Sequence, residues 1–294
     1  MSRLALGTAQ FGMDHGINNT RGKIPASEAG LILNIAHAAR IDLLDTAYAL
    51  GESESVLGQC LKTHSAISDA FRLVSKLPDL DEENDKPLDF FLSKTLARLG
   101  IKSIYGYLLG NFGNIRTNPD IIPFLKTAKK EGRIGKLGYS LYYPGDAETI
   151  VAEKLPCDIV LAPYNLFDRR FEPLFPLLRE RGVEIYTRSV FLQGLLMRAP
   201  ETLPAHFAPV TEKLESLRRI AAETGLSLCE ICLGFALSNR NIDRVLCGVD
   251  SMSNIKENIT AEARAAQTEP LMRQLNSLRV DDENIIIPSR WSSL

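Results

Sequence analysis

Among the side chains whose type and spacing suggest chemistry, the pair Cys229-x-x-Cys232 comes first. Two thiolates at that spacing can form half of a tetrahedral metal site or a redox couple. The pair lies inside the apolar, helically spaced run 226–237, and no second pair completes a four-ligand set, so both thiols read as helix packing. The five cysteines, at 60, 157, 229, 232 and 247, are odd in number and scattered, the pattern of reduced core thiols. His15, in Phe11-Gly12-Met13-Asp14-His15-Gly16, offers an imidazole to a loop, as an acid or as an ordinary surface residue. The acidic run 79–85 reads as a solvated helix entrance. Neither a Gly-x-Gly-x-x-Gly turn nor a P-loop occurs, which removes support for a doubly wound nucleotide fold.

The elements that must position any such groups follow a repeating pattern. Short apolar runs at 4–7, 41–45, 71–76, 104–109, 134–140, 157–161, 183–189 and 242–248 alternate with amphipathic segments, for example 27–39, 85–99, 120–131 and 214–224. Gly132 and Gly225 stand where the last two of these should stop. Eight strand–helix units suit one closed (β/α)₈ barrel, an α/β fold, and no linker-like stretch divides residues 1–294. The aperiodic stretch 191–210, at the exit of the seventh strand, is a candidate active-site loop. For the irregular end, 281–294, which carries Trp291, two placements stay open: folded back over the barrel or hanging free.

The composition, 45% hydrophobic and 24% charged, is that of an ordinary globular chain. A net charge of -2 gives no electrostatic ground for a nucleic acid or an anionic membrane as partner. No segment approaches the roughly 20 uninterrupted apolar residues of a membrane span. The opening residues run into a strand pattern rather than a signal peptide, and a cytoplasmic protein is expected. Oligomeric state is not readable from these features.

The run Leu44-Asp45-Thr46-Ala47-Tyr48-Ala49-Leu50-Gly51-Glu52-Ser53-Glu54-Ser55-Val56-Leu57-Gly58 resembles, without gaps, the aldo/keto reductase signature Asp-Thr-Ala-x-x-Tyr-Gly-x-Ser-Glu-x-x-Leu-Gly. Further likenesses follow in the family's order: Gly7-Thr8, Val74-Ser75-Lys76, the run 133–140, Ala162-Pro163-Tyr164-Asn165-Leu166, the run 188–196, and Gly248-Val249-Asp250 through Glu257-Asn258. The resemblance covers nearly the whole chain. It implies hydride transfer from a nicotinamide cofactor, NADP or NAD, to a carbonyl. In that chemistry a tyrosine gives the proton, assisted by a lysine paired with an aspartate, and a histidine orients the carbonyl. A phenol near its ordinary pKa of about 10 is a poor acid at neutral pH, and an adjacent cation corrects this by stabilising the phenolate.

Carried over by position, the aspartate is Asp45 and the lysine Lys76, whereas the tyrosine position holds Leu50 and the histidine position Gly110. Tyr48, two residues before the vacant position, is a candidate relocated acid. The resemblance also assigns cofactor contacts to Ser140, Arg188, Ser189, Gln193, Gly248, Glu257 and Asn258. Leu141 and Leu161 stand where relatives place amide partners for the nicotinamide carboxamide, and Asp250 would repel the extra phosphate of NADPH. No metal is implied. Three functions stay open. One is an aldo/keto reductase-like oxidoreductase with an atypical site, acting on a carbonyl or sugar-like substrate. Another is a catalytically silent relative that binds a small molecule or a protein, with or without a dinucleotide. The third is a lyase, isomerase or imine-forming enzyme using Asp45 and Lys76, which otherwise persist as a buried ion pair.

Overall fold

Short parallel strands joined through helices bury both faces, and eight of them close on themselves. The computed structural model describes residues 1–17, 19–80 and 86–291. Its strands are β1 (Leu4–Gly7), β2 (Leu43–Asp45), β3 (Arg72–Leu77), β4 (Ile104–Leu109), β5 (Ile134–Ser140), β6 (Ile159–Pro163), β7 (Glu184–Arg188) and β8 (Arg244–Gly248). They pair in sequence order, all parallel, and β8 returns to β1 to close a (β/α)₈ barrel. The longer helices between them are α1 (Ala26–Ala38), α2 (Ser53–Thr63), α3 (Leu88–Leu99), α4 (Ile121–Lys130), α5 (Pro144–Ala152), α6 (Phe175–Glu180), α7 (Thr211–Thr224), α8 (Leu228–Ser238) and α9 (Met252–Ala263).

Alternation along the strands divides the core in two. Ala5, Leu43, Val74, Leu108, Ile159 and Tyr186 fill the barrel interior, and the larger cluster packs between strands and helices. β4 and β5 have the bounds that their apolar runs predict. β2 begins two residues late because the Ile41 amide closes the end of α1 by donating to Ala36 O. β6 extends through Pro163, which sits at the strand end opposite Arg188, where its missing N–H is tolerated. Gly132 and Gly225 follow α4 and α7 at φ 74° and 69°, the left-handed stops expected of them.

Cys229 and Cys232 are buried in α8, and no cluster of metal-ligating side chains occurs among the described residues. Burial pushes the Cys232 thiol up to about 12, as for a thiol that packs. Residues 81–85 of the acidic run, with the first residue of the expected helix 85–99, lie outside the described residues, as do 292–294. The chain end through Trp291 folds back: Trp291 is buried, stacks edge-on against Phe207 at 5.0 Å, and donates its indole N–H to Asn284 O and Ile285 O. Among the described residues no single helix is long and apolar enough to cross a membrane.

Candidate active site

The strand ends set the site. Asp45 closes β2 and Lys76 lies next to the end of β3, on neighbouring strands whose register pairs Asp45 with Val74. Both side chains therefore emerge at the C-terminal mouth of the barrel, where they line a cavity of about 880 Å³. Lys76 Nζ donates to both Asp45 carboxylate oxygens at 2.7 Å and to Thr46 O at 2.7 Å. All three ammonium hydrogens thus have an acceptor. The two side chains are 13% and 11% exposed. Burial pushes the Asp45 carboxyl above its ordinary value against the opposing pull of Lys76 and, more weakly, of Arg188.

Leu50 and Gly110 line the same cavity. Gly110 holds its place for a steric reason: its amide donates to Leu77 O at 3.1 Å, and a Cβ built on it would lie 2.4 Å from that oxygen. No side chain fits there unless the β3 or β4 end shifts.

Tyr48 departs from its expected role as a relocated acid. Its amide donates to Lys76 O at 3.3 Å, but its ring leaves the mouth for the helix layer, packing edge-on against Phe91 at 5.3 Å beneath the Arg98 guanidinium at 4.4 Å. Arg98 is itself held by buried Glu54 at 3.2 Å, so the ring is clamped outward and does not line the cavity. His15 does line it, and burial lowers the pKa of its imidazole.

Of the positions assigned to a cofactor by resemblance, Ser140, Arg188, Ser189, Gln193 and Gly248 line the cavity. Glu257 and Asn258 are not brought to it: Glu257 is exposed, and Asn258 is buried one turn deeper in α9, accepting the Cys229 thiol at 3.4 Å. Asn254, four residues earlier on the same helix face, takes the place at the rim. Leu161 faces the cavity, and Leu141 is fully buried beside it.

The β7 exit loop is strained. Ser189, Leu192 and Gln193 have φ of 63°, 48° and 52°, each in a region that ordinary residues avoid. Asn165 ties this loop to β6 by donating to Ser189 O at 3.0 Å, and the β1 exit loop grips it through Ile17 N donating to Gln193 O at 3.1 Å.

Several lining groups give no isolated sequence signal. Asp79 belongs to the acidic run expected to be solvated, yet it faces the cavity and accepts Asn111 Nδ2 at 2.7 Å. Tyr142 and Tyr143 flank the mouth, and residues 286–289 of the returning chain end form part of its wall.

The aldo/keto reductase family model matches residues 3–279. The chain is 26% identical over 282 residues to L-galactose dehydrogenase of Arabidopsis thaliana, spanning 89% of this chain and 83% of that protein. It is 27% identical over 267 residues to the uncharacterized oxidoreductase YqkF of Bacillus subtilis strain 168, 84% of this chain and 86% of that one. Among solved structures it resembles an aldo-keto reductase from Bacillus halodurans, in holo form, with a TM-score of 0.74 and 22% identity over 96% of this chain and 94% of that chain. With its closed eight-stranded barrel, and a match that runs through all eight strands, the chain belongs to the aldo/keto reductase family.

Proposed function

We propose that this protein binds a nicotinamide dinucleotide, NAD in preference to NADP, together with a small ligand in the barrel mouth, and that it no longer reduces carbonyls by the tyrosine-donated route. One observation carries the reading. Lys76, the cation that would acidify a phenol, has its three hydrogens on Asp45 and Thr46, shares the cavity with Leu50, and is not approached by the Tyr48 ring. A hydride can reach a carbonyl productively only if a proton follows, and neither leucine nor glycine supplies one.

The residues present fit a dinucleotide in part. Ser189, Gln193 and Gly248 would hold its polar length, and a Cβ on Gly248 would crowd the Gln10 amide at 3.2 Å. Gln10 Oε1 is a buried acceptor with no partner, available to a ligand N–H or O–H. The bound dinucleotide would supply a hydride. At its amide end the mouth offers Leu161 instead of a polar partner. The holo form of the Bacillus halodurans relative favours retention of a cofactor.

Preference for NAD follows from the start of α9. Two of its first-turn amides are taken, Met252 N by Glu28 at 3.4 Å and Asn254 N by Ser251 at 3.2 Å, and Asp250 lines the cavity beside them. An added phosphate there meets the Asp250 carboxylate, while the nearby cation Arg21 is already paired with Glu28 at 2.7 Å. The expected outcome is that NADH raises the melting temperature by several degrees, since a ligand at about 100 times its Kd adds about 2.7 kcal/mol, and that NADPH raises it much less. Neither should be oxidised in the presence of a panel of aldehydes, ketones and sugars. A carbonyl-dependent loss of NADH absorbance that vanishes in Lys76→Met would overturn the silent reading, and no thermal shift with either dinucleotide would overturn the cofactor.

A further inference from the structure

Among the described residues three permanent cations line the cavity: Lys76, Arg170 and Arg188. Two of them are neutralised. Lys76 holds both oxygens of Asp45, and Arg170 holds both oxygens of buried Asp168 at 2.9 Å, with Glu283 at 3.4 Å. Arg188 has no carboxylate within 4.0 Å among the described residues. Its Nη2 donates to Leu141 O at 3.0 Å, its Nη1 reaches Ser189 Oγ only at 3.5 Å, and its Nε is shielded without a partner. Its Cζ lies 4.3 Å from the centre of the Tyr142 ring, a cation–π contact that helps fix the group at the mouth.

Of the cavity's acids, Asp45 is held by Lys76 and feels Arg188 only at longer range, Asp79 accepts Asn111, and Asp250 accepts Ser251 at 3.0 Å. A guanidinium does not shed its proton, so a half-buried one has its charge met by a counter-ion or bears the cost of desolvation uncompensated. Its planar fork matches a carboxylate through two parallel N–H···O bonds.

We propose that Arg188 is the anchor of an organic carboxylate, so that the small ligand of this mouth is an acid rather than a neutral carbonyl compound or sugar. The proposal deepens the reading of the mouth as a binding site and depends on it, but not on dinucleotide binding. Tyr142, whose ring meets the guanidinium, and Pro163, paired with Arg188 across the strands, both line the cavity and are largely apolar, which favours an acid with a planar or apolar body.

The test uses the whole chain without any dinucleotide, and compares benzoate with benzamide, which share a shape and differ in charge, at equal concentration and ionic strength. Benzoate is expected to raise the melting temperature and benzamide to leave it unchanged. Arg188→Gln should weaken benzoate binding by about tenfold or more, and Arg188→Lys, which keeps the charge and loses the fork, should fall between. The wild-type comparison and Arg188→Lys still decide the matter if Arg188→Gln does not fold. Equal effects of benzoate and benzamide, no effect of either, or a full benzoate shift in Arg188→Gln would overturn the proposal. So would a parallel loss of NADH binding in Arg188→Gln, which would place Arg188 in the cofactor site. Because the benzoate arms contain no dinucleotide, a failed NADH titration leaves their result standing.

Discussion

The glycine at position 110 is built into the backbone around it. Leu77 O approaches so closely that even a methyl group would lie 2.4 Å away, far inside contact distance. Gly110→Ala is therefore expected to lower stability by about 1 to 3 kcal/mol, read as a drop in melting temperature, and Gly110→His by more. A fully stable Gly110→His variant would show that the strand ends yield easily. Placing an imidazole at position 110 thus takes more than one substitution. The gapless signature carried Asp45 and Leu50, and the separate likenesses on β3 and β4 carried Lys76 and Gly110, to positions that line one cavity, because strand ends of a barrel have fixed directions. The outward turn of Tyr48 was not legible. A loop side chain goes where its partners are, and the partners that clamp it, Phe91 and Arg98, lie on a helix some 40 residues further along the chain.

Elements explain why two of the positions assigned to a cofactor by resemblance lie off the cavity wall. The run 248–258 shows the resemblance but not which face of α9 meets the cavity, and Asn254 and Asn258, four residues apart, look alike in sequence. Only the packing of Asn258 against Cys229 separates them. Of the aperiodic stretch 191–210 after β7, only the beginning reaches the mouth, where Phe191, Gln193 and Met197 line the cavity. The strain of the exit loop was invisible, since left-handed backbone at serine, leucine and glutamine leaves no compositional trace. Gln193 gives a direct check. Gln193→Val places a β-branched side chain at φ 52° and should cost about 1 to 2 kcal/mol, whereas Gln193→Gly relieves the same backbone and should not lower the melting temperature. Equal losses in the two variants would mean that the side chain, not the backbone, holds the loop.

Across the whole molecule the two ends of the barrel divide the work. At the end opposite the mouth, Glu184 gathers Lys136, the Tyr186 hydroxyl at 2.6 Å and the Tyr105 hydroxyl at 3.1 Å, and Asp42 bridges Arg72 at 2.6 Å and Arg244 at 3.1 Å. Burial pushes the Glu184 carboxyl up, but its hydrogen bonds with Lys136 and Tyr186 prevail and hold it below its ordinary 4.5. A depressed carboxyl contributes stability that is complete above the ordinary value and is lost as pH falls through the lowered one. Wild-type protein should therefore lose melting temperature steeply below about pH 4.5, and Glu184→Gln should start lower and lose less over the same range. Parallel acid profiles for the two proteins would exclude this network as a source of acid sensitivity. The closed eight-stranded architecture was legible in full from alternating apolar runs, because parallel strands buried on both faces carry a strong local signature. The charge network was not, since its members come from five strands and the loop before β2, and meet only on closure.

The two chain ends also leave the barrel on different sides. Met1 precedes β1 at the end away from the cavity, where Ser2 and Arg3 are fastened to Glu262, while residues 286–289 run along the cavity wall before the Trp291 anchor. A purification tag or fluorescent fusion attached beyond Trp291 is tethered within a few positions of Ser289 in the cavity wall, close enough in sequence to interfere with ligand titrations. The same appendage placed before Met1 leaves the mouth clear, and it is the arrangement to choose for every titration described above.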